Sequence, residues 1–416
     1  MSLMRRVVIT GAGVISSLGD TPAAMHALLC EGRSGVRPVE LFDTALLGCP
    51  LGGEVREFDA RKYLGRRNLR PLDRTSRLVA SAAQLALDDS GCTAEMRAEQ
   101  EVGLVLGTMF CSVHTISEFD RRALTAGPSY ASPMDFSNTV INAAAGQTAI
   151  MHNLRGVNTT VSTGVTSGLQ AIAYAADLIR CGRERALLAG GAEELCFESF
   201  YGFDRAGLLC RSNDHENHFP IPFDARRNGS ALGEGAALLM LEDAESARER
   251  GARVLAEVSG TGCAYDCSRG RDEEKSVEAI TRSMRLALFD AEMLPYQVEC
   301  LSASANGSPR GDRHEAQAIA KLFGGHARMM PVTAIKSMLG ETLGASGGLQ
   351  AASMLETMSG GVLPGIPRLE EFETDFTLSL AGAASQTTDV SVALLNSVGL
   401  DGHCCSLIFT RREEFN

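Results

Sequence analysis

The residues from Val161 to Gly168 form a run of small and hydroxyl-bearing side chains, and an apolar stretch of helical period follows directly. Thr163, Thr166 and Ser167 could act as nucleophiles by type. A helix turns about 100° per residue, so Thr166 and Ser167 point away from the direction of Val165. A hydroxyl nucleophile also needs a neighbouring base, and none is evident. The pattern favours small residues that pack the buried start of a helix.

Two other glycine-containing segments hold polar residues of informative type. Asn306, within Ser304 to Ser308, can donate a hydrogen bond but cannot transfer a proton, whereas an ionised Glu341 can only accept.

The composition limits the class of protein. With 416 residues and 44% hydrophobic content, the chain can bury a large core and exceeds the usual size of one domain. Its net charge of -12 argues against nucleic-acid binding. The chain shows no apolar stretch long enough to span a bilayer and no signal-peptide core, so we expect no membrane span and a cytoplasmic location. The 12 irregularly spaced cysteines predict reduced thiols without a metal site. We expect no cofactor.

One stretch departs from this acidic balance. Seven cations lie within it: Arg61, Lys62, Arg66, Arg67, Arg70, Arg74 and Arg77. They could form a solvated helical face. They could instead form a docking surface for an acidic macromolecule, because the local field rather than the net charge decides such an encounter.

Hydrophobic periodicity predicts two α/β halves, residues 1-250 and 251-416, in which helices cover both faces of the sheets. In both halves short apolar strands alternate with amphipathic helices. The predicted strands are Arg6 to Thr10 (ended by a Gly11-Ala12-Gly13 turn), Val102 to Gly107, Ala186 to Gly190, Leu238 to Leu241, Val254 to Gly260, Cys300 to Ala303, Asp389 to Leu395 and Cys405 to Phe409. The predicted helices are Thr21 to Leu29, Arg77 to Leu87, Thr166 to Ile179, Ala244 to Arg250, Lys275 to Leu288, Asp312 to Leu322 and Leu343 to Met358.

Five motifs in this order resemble those of the β-ketoacyl-acyl-carrier-protein synthase family (the KAS I/II type). They are Arg6 to Gly11 (RVVITG), Val161 to Gly168 (VSTGVTSG), Ala189 to Glu193 (AGGAE), Pro222 to Ala236 (PFDARRNG, then GEGA) and Lys336 to Gly347 (KSMLG, then GASG). The resemblance extends over nearly the whole chain. It implies an α/β, thiolase-like fold, in which duplicated α/β halves form a layered α-β-α-β-α body.

The resemblance also implies that three catalytic residues are missing. In this family a Cys thiolate takes the acyl chain as a thioester, and two His side chains stabilise the charge that grows as malonyl thioester loses carbon dioxide. Val165 occupies the position of the Cys, although the chain has 12 cysteines elsewhere, and Asn306 and Glu341 occupy the positions of the two His. Lys336 is retained, while Gln350 stands where the family has the acid that pairs with it. Because a buried ammonium without a partner is strongly unfavourable, we expect another acid to approach Lys336, and Glu341 is the candidate for a structural ion pair. We therefore expect no catalytic residue for condensation by this chain alone.

The family's gate positions are changed as well. A loop whose Phe swings to admit substrate is matched by Gly399 to Cys404, with Leu400 in place of the Phe, and Ser230 replaces a residue that is usually Phe in the opposing loop. Both changes suggest that this chain does not admit an acyl chain into its own site.

These departures favour a chain-length factor, the homologue without the catalytic Cys that pairs as a heterodimer with an active ketosynthase subunit. That role belongs to type II polyketide, aryl-polyene or fatty-acid-like biosynthesis. By position, five residues would line or cap the partner's acyl tunnel, although ordinary interface packing explains them equally well: Phe110, Val113, Ile116, Met134 and Phe136. Aromatic-polyketide factors typically carry Gln at the Cys position, so Val165 suggests a more distant, polyene-making branch.

The resemblance strengthens the docking interpretation of the basic stretch, because acyl carrier proteins are acidic and the family docks them in a comparable region. The residues concerned are Lys62, Arg66, Arg67 and Arg70.

Two alternatives stay open. The chain could be a malonyl-carrier-protein decarboxylase or repurposed acyltransferase, although decarboxylation in this fold uses both His. It could also be a homodimeric module that binds an acyl chain or acyl carrier protein without turnover.

Overall fold

The hydrophobic pattern of the chain accounts for the order of its strands and helices. The computed structural model describes residues 4–66, 68–99, 101–211, 219–373 and 376–411. The strands are β1 (Val7–Ser16), β2 (Arg37–Pro38), β3 (Leu51–Gly53), β4 (Gly103–Gly107), β5 (Asn158–Val161), β6 (Ala186–Glu193), β7 (Leu232–Gly233), β8 (Gly235–Asp243), β9 (Ala256–Tyr265), β10 (Cys300–Ser302), β11 (Pro331–Thr333), β12 (Val362–Leu363), β13 (Ser379–Leu380), β14 (Gln386–Thr387), β15 (Val392–Val398) and β16 (His403–Thr410).

The α-helices alternate with these strands and mostly carry one apolar face. They are α1 (Pro22–Cys30), α2 (Arg61–Leu64), α3 (Arg74–Asp89), α4 (Ala94–Glu99), α5 (Val113–Ala126), α6 (Pro133–Phe136), α7 (Ala143–His152), α8 (Ser167–Arg180), α9 (Phe197–Arg205), α10 (Ala244–Glu249), α11 (Glu273–Asp290), α12 (Pro309–Phe323), α13 (Lys336–Leu339) and α14 (Ser346–Gly360).

The strand order shows that the two halves repeat one topology. In the first half the strands lie side by side in the order β1, β8, β6, β4, β5, and in the second half in the matching order β9, β16, β15, β10, β11, with β13 added at the edge. In both halves the first two pairings are antiparallel and the rest are parallel. The halves join where Val8 and Ile9 pair with Glu257 and Ala256. This repeat agrees with the predicted duplication, and the division near residue 251 stays a prediction.

Five layers follow from how the helices pack on the sheet. α8 and α14 lie in the middle, in one core cluster with residues of β6 and of β15 and β16, for example Ile172, Leu355, Leu187, Leu395 and Phe409. α3 covers the outer face of the first half, while α11 and α12 cover the outer face of the second. The predicted α-β-α-β-α layering is therefore confirmed.

The predicted turn at Gly11-Ala12-Gly13 is wrong, because β1 continues through it to Ser16. The strand carries a bulge between Ile9 and Gly11, and α3 packs directly on its backbone. A Cβ at Gly13 would lie 2.1 Å from the carbonyl oxygen of Ala82. The glycines therefore permit a close helix-to-strand approach rather than a change of chain direction.

Several helices begin earlier than periodicity predicts, because polar caps extend them. The Asp73 side chain accepts from the Ser76 N–H at 2.9 Å, so α3 begins at Arg74 rather than at Arg77. Near the other end of the chain, Leu343–Ala345 forms a 3₁₀ turn and α14 begins only at Ser346.

In the part of the chain that the structure describes, no helix is long and apolar enough to cross a bilayer. No group of three or more His, Cys, Asp or Glu side chains in these ranges is arranged to hold a metal ion. The twelve cysteines are free thiols.

Candidate functional site

A cavity of about 560 Å³ brings together the residues at the predicted catalytic and gate positions. Its lining includes Val165, Asn306, Glu341, Ser230 and Leu400, which lie far apart in sequence. The sequence prediction that these residues share one site is therefore consistent with their positions in space, and their chemistry can be compared directly.

Val165 lies in a tight turn just before α8. Gly164 holds this turn with a φ of +62°, and Val165 is buried against an apolar cluster that includes Phe200, Phe203 and Leu343. Val165, two residues before the first residue of α8, therefore offers the cavity only methyl groups. Nothing on this side chain can form a covalent intermediate.

The hydroxyls beside Val165 hold the turn rather than facing a base. Thr166 Oγ1 donates to the Thr163 carbonyl oxygen at 2.7 Å. Ser167 Oγ accepts from the Thr163 N–H at 2.8 Å and donates to the Gly164 carbonyl oxygen at 2.6 Å. These contacts support the interpretation that small polar residues pack the helix start, since each hydroxyl is engaged with the local backbone.

A close-packed junction of glycines holds the start of α8 against β6 and the 3₁₀ turn at residues 343–345. A Cβ at Gly168 would lie 2.6 Å from the Gly344 carbonyl oxygen, and one at Gly191 would lie 2.0 Å from the same atom. β6, α8 and the 3₁₀ turn at residues 343–345 therefore meet at backbone-to-backbone distance. No larger side chain fits at either position without a shift of the main chain.

The predicted ion pair between Lys336 and Glu341 is confirmed. Lys336 Nζ lies 2.8 Å from Glu341 Oε2, and the two side chains are only 2% and 3% exposed. Lys336 also donates to Ser304 Oγ at 3.3 Å. Gln350 takes no part, because its amide nitrogen donates instead to Ser302 Oγ and to the carbonyl oxygens of residues 303 and 396.

The Glu341 carboxylate is fully occupied by donors. Besides Lys336, its Oε2 accepts from Asn306 Nδ2 at 2.9 Å. Its Oε1 accepts from Ser346 Oγ at 2.7 Å and from the Leu343 N–H at 3.1 Å. A carboxylate has about four lone-pair sites, and here four donors fill them. Glu341 therefore has no free acceptor for a substrate proton.

The same contacts turn the donors away from the cavity. A condensing site needs N–H donors aimed at the oxygen on which negative charge develops. Here the Asn306 amide and the Lys336 ammonium are both directed at Glu341. The cavity wall at these positions is a closed ion-pair cluster rather than an oxyanion site.

Two further buried acids line the cavity, and sequence reasoning missed them. Burial raises the pKa of Asp312 to about 6 and that of Glu315 to about 7. Asp312 accepts from the backbone N–H groups of Asn306 and Gly307, both at 3.1 Å, and so holds the Asn306 loop. Their placement three residues apart on an amphipathic helix was visible in the sequence, but nothing there showed that this face is buried.

The gate positions both contact the cavity. Leu400 is 46% exposed and lies in the turn between β15 and β16. Ser230 is buried, and its hydroxyl donates to the adjacent carbonyl oxygen of Ala231 at 3.3 Å. That this pair no longer gates an acyl chain stays a prediction.

The proposed tunnel residues lie in the segment that follows β4. Phe110 packs edge-on against Phe203, and Val113 and Ile116 lie, half-buried, on α5. Met134 is 38% exposed and Phe136 is 63% exposed. More exposed apolar residues accompany them along this segment: Leu124, Tyr130, Val140, Ile141 and Ile150. Such a concentration of exposed apolar side chains is typical of an interface.

A single buried carboxylate connects this segment to the cavity. Glu193 accepts from the backbone N–H groups of Met109 (2.7 Å), Phe110 (2.9 Å) and Cys111 (2.8 Å) at the start of the segment, and from Gly344 (3.2 Å) beside the ion pair. Burial raises the pKa of Glu193 to about 7. The start of the exposed segment and the loop that carries Glu341 are therefore held by one side chain.

The basic stretch is partly neutralised by its own neighbours. Lys62 pairs with Asp20, Arg61 with Asp59, and Arg74 with the buried Glu234. Arg66 and Arg70 are exposed and form no ion pair or hydrogen bond within the described ranges. Arg67 lies outside the described residues. Of the three predicted docking residues that the structure describes, Arg66 and Arg70 therefore have charge available to a partner, whereas Lys62 is paired with Asp20.

Comparisons with known proteins agree with the fold described above. The family model "Beta-ketoacyl synthase, N-terminal domain" matches residues 4–247, and its C-terminal counterpart matches residues 255–370. The 3-oxoacyl-[acyl-carrier-protein] synthase 2 of Synechocystis sp. is 33% identical over 98% of both chains. The solved ishigamide ketosynthase/chain length factor is 32% identical, with a TM-score of 0.90 over 98% of this chain and 100% of that one. A β-ketoacyl synthase from Burkholderia phymatum is also 32% identical, with a TM-score of 0.89 over 99% of this chain and 100% of that one.

We predict that Glu341→Gln strongly destabilises the protein. The amide keeps the shape of the side chain but removes the negative charge that compensates the buried Lys336 ammonium, and breaking such a pair costs about 3–5 kcal/mol. Chemical denaturation would measure this loss. Glu249→Gln is the matched control, since Glu249 is exposed on α10 and its replacement should change the free energy of unfolding by less than about 0.5 kcal/mol.

The double variant Lys336→Met/Glu341→Gln separates the charge effect from a packing effect. Removing both charges should recover much of the stability that the single variant loses. If Glu341→Gln unfolds like the Glu249→Gln control, the ion pair does not stabilise the fold.

Proposed function

The chain belongs to the β-ketoacyl synthase family, and we propose that within it the chain is a non-catalytic subunit. In this proposal it is the chain-length factor of a heterodimer with an active β-ketoacyl-acyl-carrier-protein synthase. The pair would act in type II polyketide, aryl-polyene or fatty-acid-like biosynthesis. The chain would shape the acyl tunnel at the dimer interface.

The observation that carries this proposal is the closed Lys336–Glu341–Asn306 cluster behind Val165. Condensation needs a nucleophile for the acyl chain and donors for the developing enolate oxygen. Val165 has no nucleophilic atom, and a carboxylate at position 341 has the wrong charge for an enolate. In this proposal, a chain whose cavity is lined by this ion-pair cluster contributes to synthesis through the surface that contacts the partner synthase.

The exposed apolar segment after β4 supports an interface role. Phe136 packs against Phe119 with ring centroids 5.9 Å apart while still exposing most of its surface. Burying such side chains against a partner is favourable by about 25 cal/mol per Å² of apolar area. The similarity to a solved ketosynthase/chain length factor points in the same direction.

A second candidate function also has an observation in its favour. The cavity keeps a volume of about 560 Å³ despite the loss of the catalytic side chains, which suits a homodimeric module that holds an acyl chain or an acyl carrier protein without turnover. The decarboxylase alternative lacks such support, because the donors it needs are directed at Glu341.

Co-expression with an active β-ketoacyl-acyl-carrier-protein synthase from the same organism tests the proposal. We expect the two chains to co-purify as a heterodimer, and product analysis to show longer chains when Phe136→Ala shortens a side chain that caps the tunnel. Phe289→Ala is the control, since Phe289 is 81% exposed but lies on α11 in the other half. A stable homodimer that ignores the synthase would contradict the heterodimer and favour the binding module.

Charge reversal at Arg66 and Arg70 tests carrier-protein docking. The double variant Arg66→Glu/Arg70→Glu should slow acyl transfer to the complex about tenfold at low salt, with the effect shrinking as salt screens the charges. Arg183→Glu/Arg282→Glu makes the same charge change at exposed positions elsewhere and should leave the rate unchanged. Equal low-salt rates for the two double variants would place docking on another surface.

A further inference from the structure

Two cysteines face each other across neighbouring strands. β9 and β16 pair antiparallel, and Cys263 and Cys405 stand directly opposite each other in that register. Their sulfur atoms lie 3.7 Å apart, and both are free thiols. Directly opposed residues have Cα atoms about 4.5–5.5 Å apart, which falls within the range that a disulfide spans. Side-chain rotation alone could bring these sulfurs to bonding distance.

The two thiols differ in access and in acidity. Cys263 is exposed, whereas Cys405 is completely buried. A hydrogen bond joins the two sulfur atoms, and this contact lowers the pKa of Cys263 and raises that of Cys405. Partial desolvation of the Cys263 sulfur beside the buried Cys405 and the negative charge of Asp177 on α8 oppose this lowering of the Cys263 pKa. An accessible sulfur that is stabilised as thiolate, beside a buried second sulfur, has the arrangement of an attacking and a resolving thiol.

The cysteine pair lies near two loops that line the cavity. Tyr265 on β9 and His403 on β16 form the next pair on the same face of the sheet. Their rings stack edge to face with centroids 4.9 Å apart. Beyond them the Asp266 N–H donates to the Gly402 carbonyl oxygen at 2.8 Å, and both residues line the cavity. A covalent link between β9 and β16 would therefore lie close to the two loops that carry Asp266 and Gly402 and line the cavity.

We propose that Cys263 and Cys405 form a redox modification site that hydrogen peroxide converts into a cross-strand disulfide. The Cys263 thiolate attacks the peroxide, the O–O bond breaks, hydroxide leaves, and Cys263 becomes a sulfenic acid. The Cys405 sulfur then attacks the Cys263 sulfur, forms the S–S bond and releases water as the Cys405 proton is lost. Two thiols are oxidised by two electrons, and one peroxide is reduced to two waters.

Intact-mass and peptide analysis of the full chain treated with hydrogen peroxide tests this proposal, which does not depend on the proposed function. We expect a loss of mass equal to two hydrogen atoms, one peptide pair linked through residues 263 and 405, and full reversal by a thiol reductant. Cys263→Ser and Cys405→Ser should each abolish the link. Cys181→Ser and Cys267→Ser are matched controls, because both cysteines are exposed and neither should affect it.

The mass analysis has results that support the proposal and results that overturn it. A 263–405 link that forms in the wild type and in both controls supports the site. A Cys263 that only gains oxygen atoms, a link between Cys263 and Cys267, or the absence of any link at peroxide levels that oxidise exposed methionine would overturn it.

Discussion

The buried charge pair of Lys336 and Glu341 is the constraint on which the site depends. Two charges removed from water are tolerated only when each is paired and further hydrogen bonds satisfy their remaining atoms. Here the carboxylate meets four donors, among them the Asn306 amide and Ser346. The same contacts that stabilise the pair withdraw these groups from the cavity. One arrangement therefore satisfies the buried charges and also accounts for the lack of condensing activity that we propose.

The surrounding scaffold remains intact because backbone contacts, rather than catalytic side chains, hold it together. Gly168, Gly191 and Gly344 meet where no side chain fits, so β6, α8 and the loop beside Glu341 keep their relative positions. Glu193 extends this junction to Met109 and the exposed segment. None of these contacts involves the side chain at position 165. A family member with Val165 can therefore keep the fold, the cavity and the exposed apolar segment.

Local physical rules predicted part of this site from sequence. The expectation that Glu341 would neutralise Lys336 was correct, because a buried ammonium must find an acid and these residues are close in the chain. The duplicated α/β plan followed from repeated apolar strands and amphipathic helices. The partner of Arg74 could not be predicted, since Glu234 lies 160 residues away. The turn predicted at Gly11 and Gly13 is wrong because the close contact of these glycines with α3 leaves no signal in the local sequence.

The most direct measurement of the central claim is carbon dioxide release from radiolabelled malonyl carrier protein by the purified chain, with an active synthase as positive control. The Val165→Cys variant belongs in the same experiment, because it restores a thiol but leaves the donors directed at Glu341. We predict no release above background by either protein. Turnover by the wild-type chain, or by Val165→Cys alone, would show that the closed ion-pair cluster does not prevent decarboxylation.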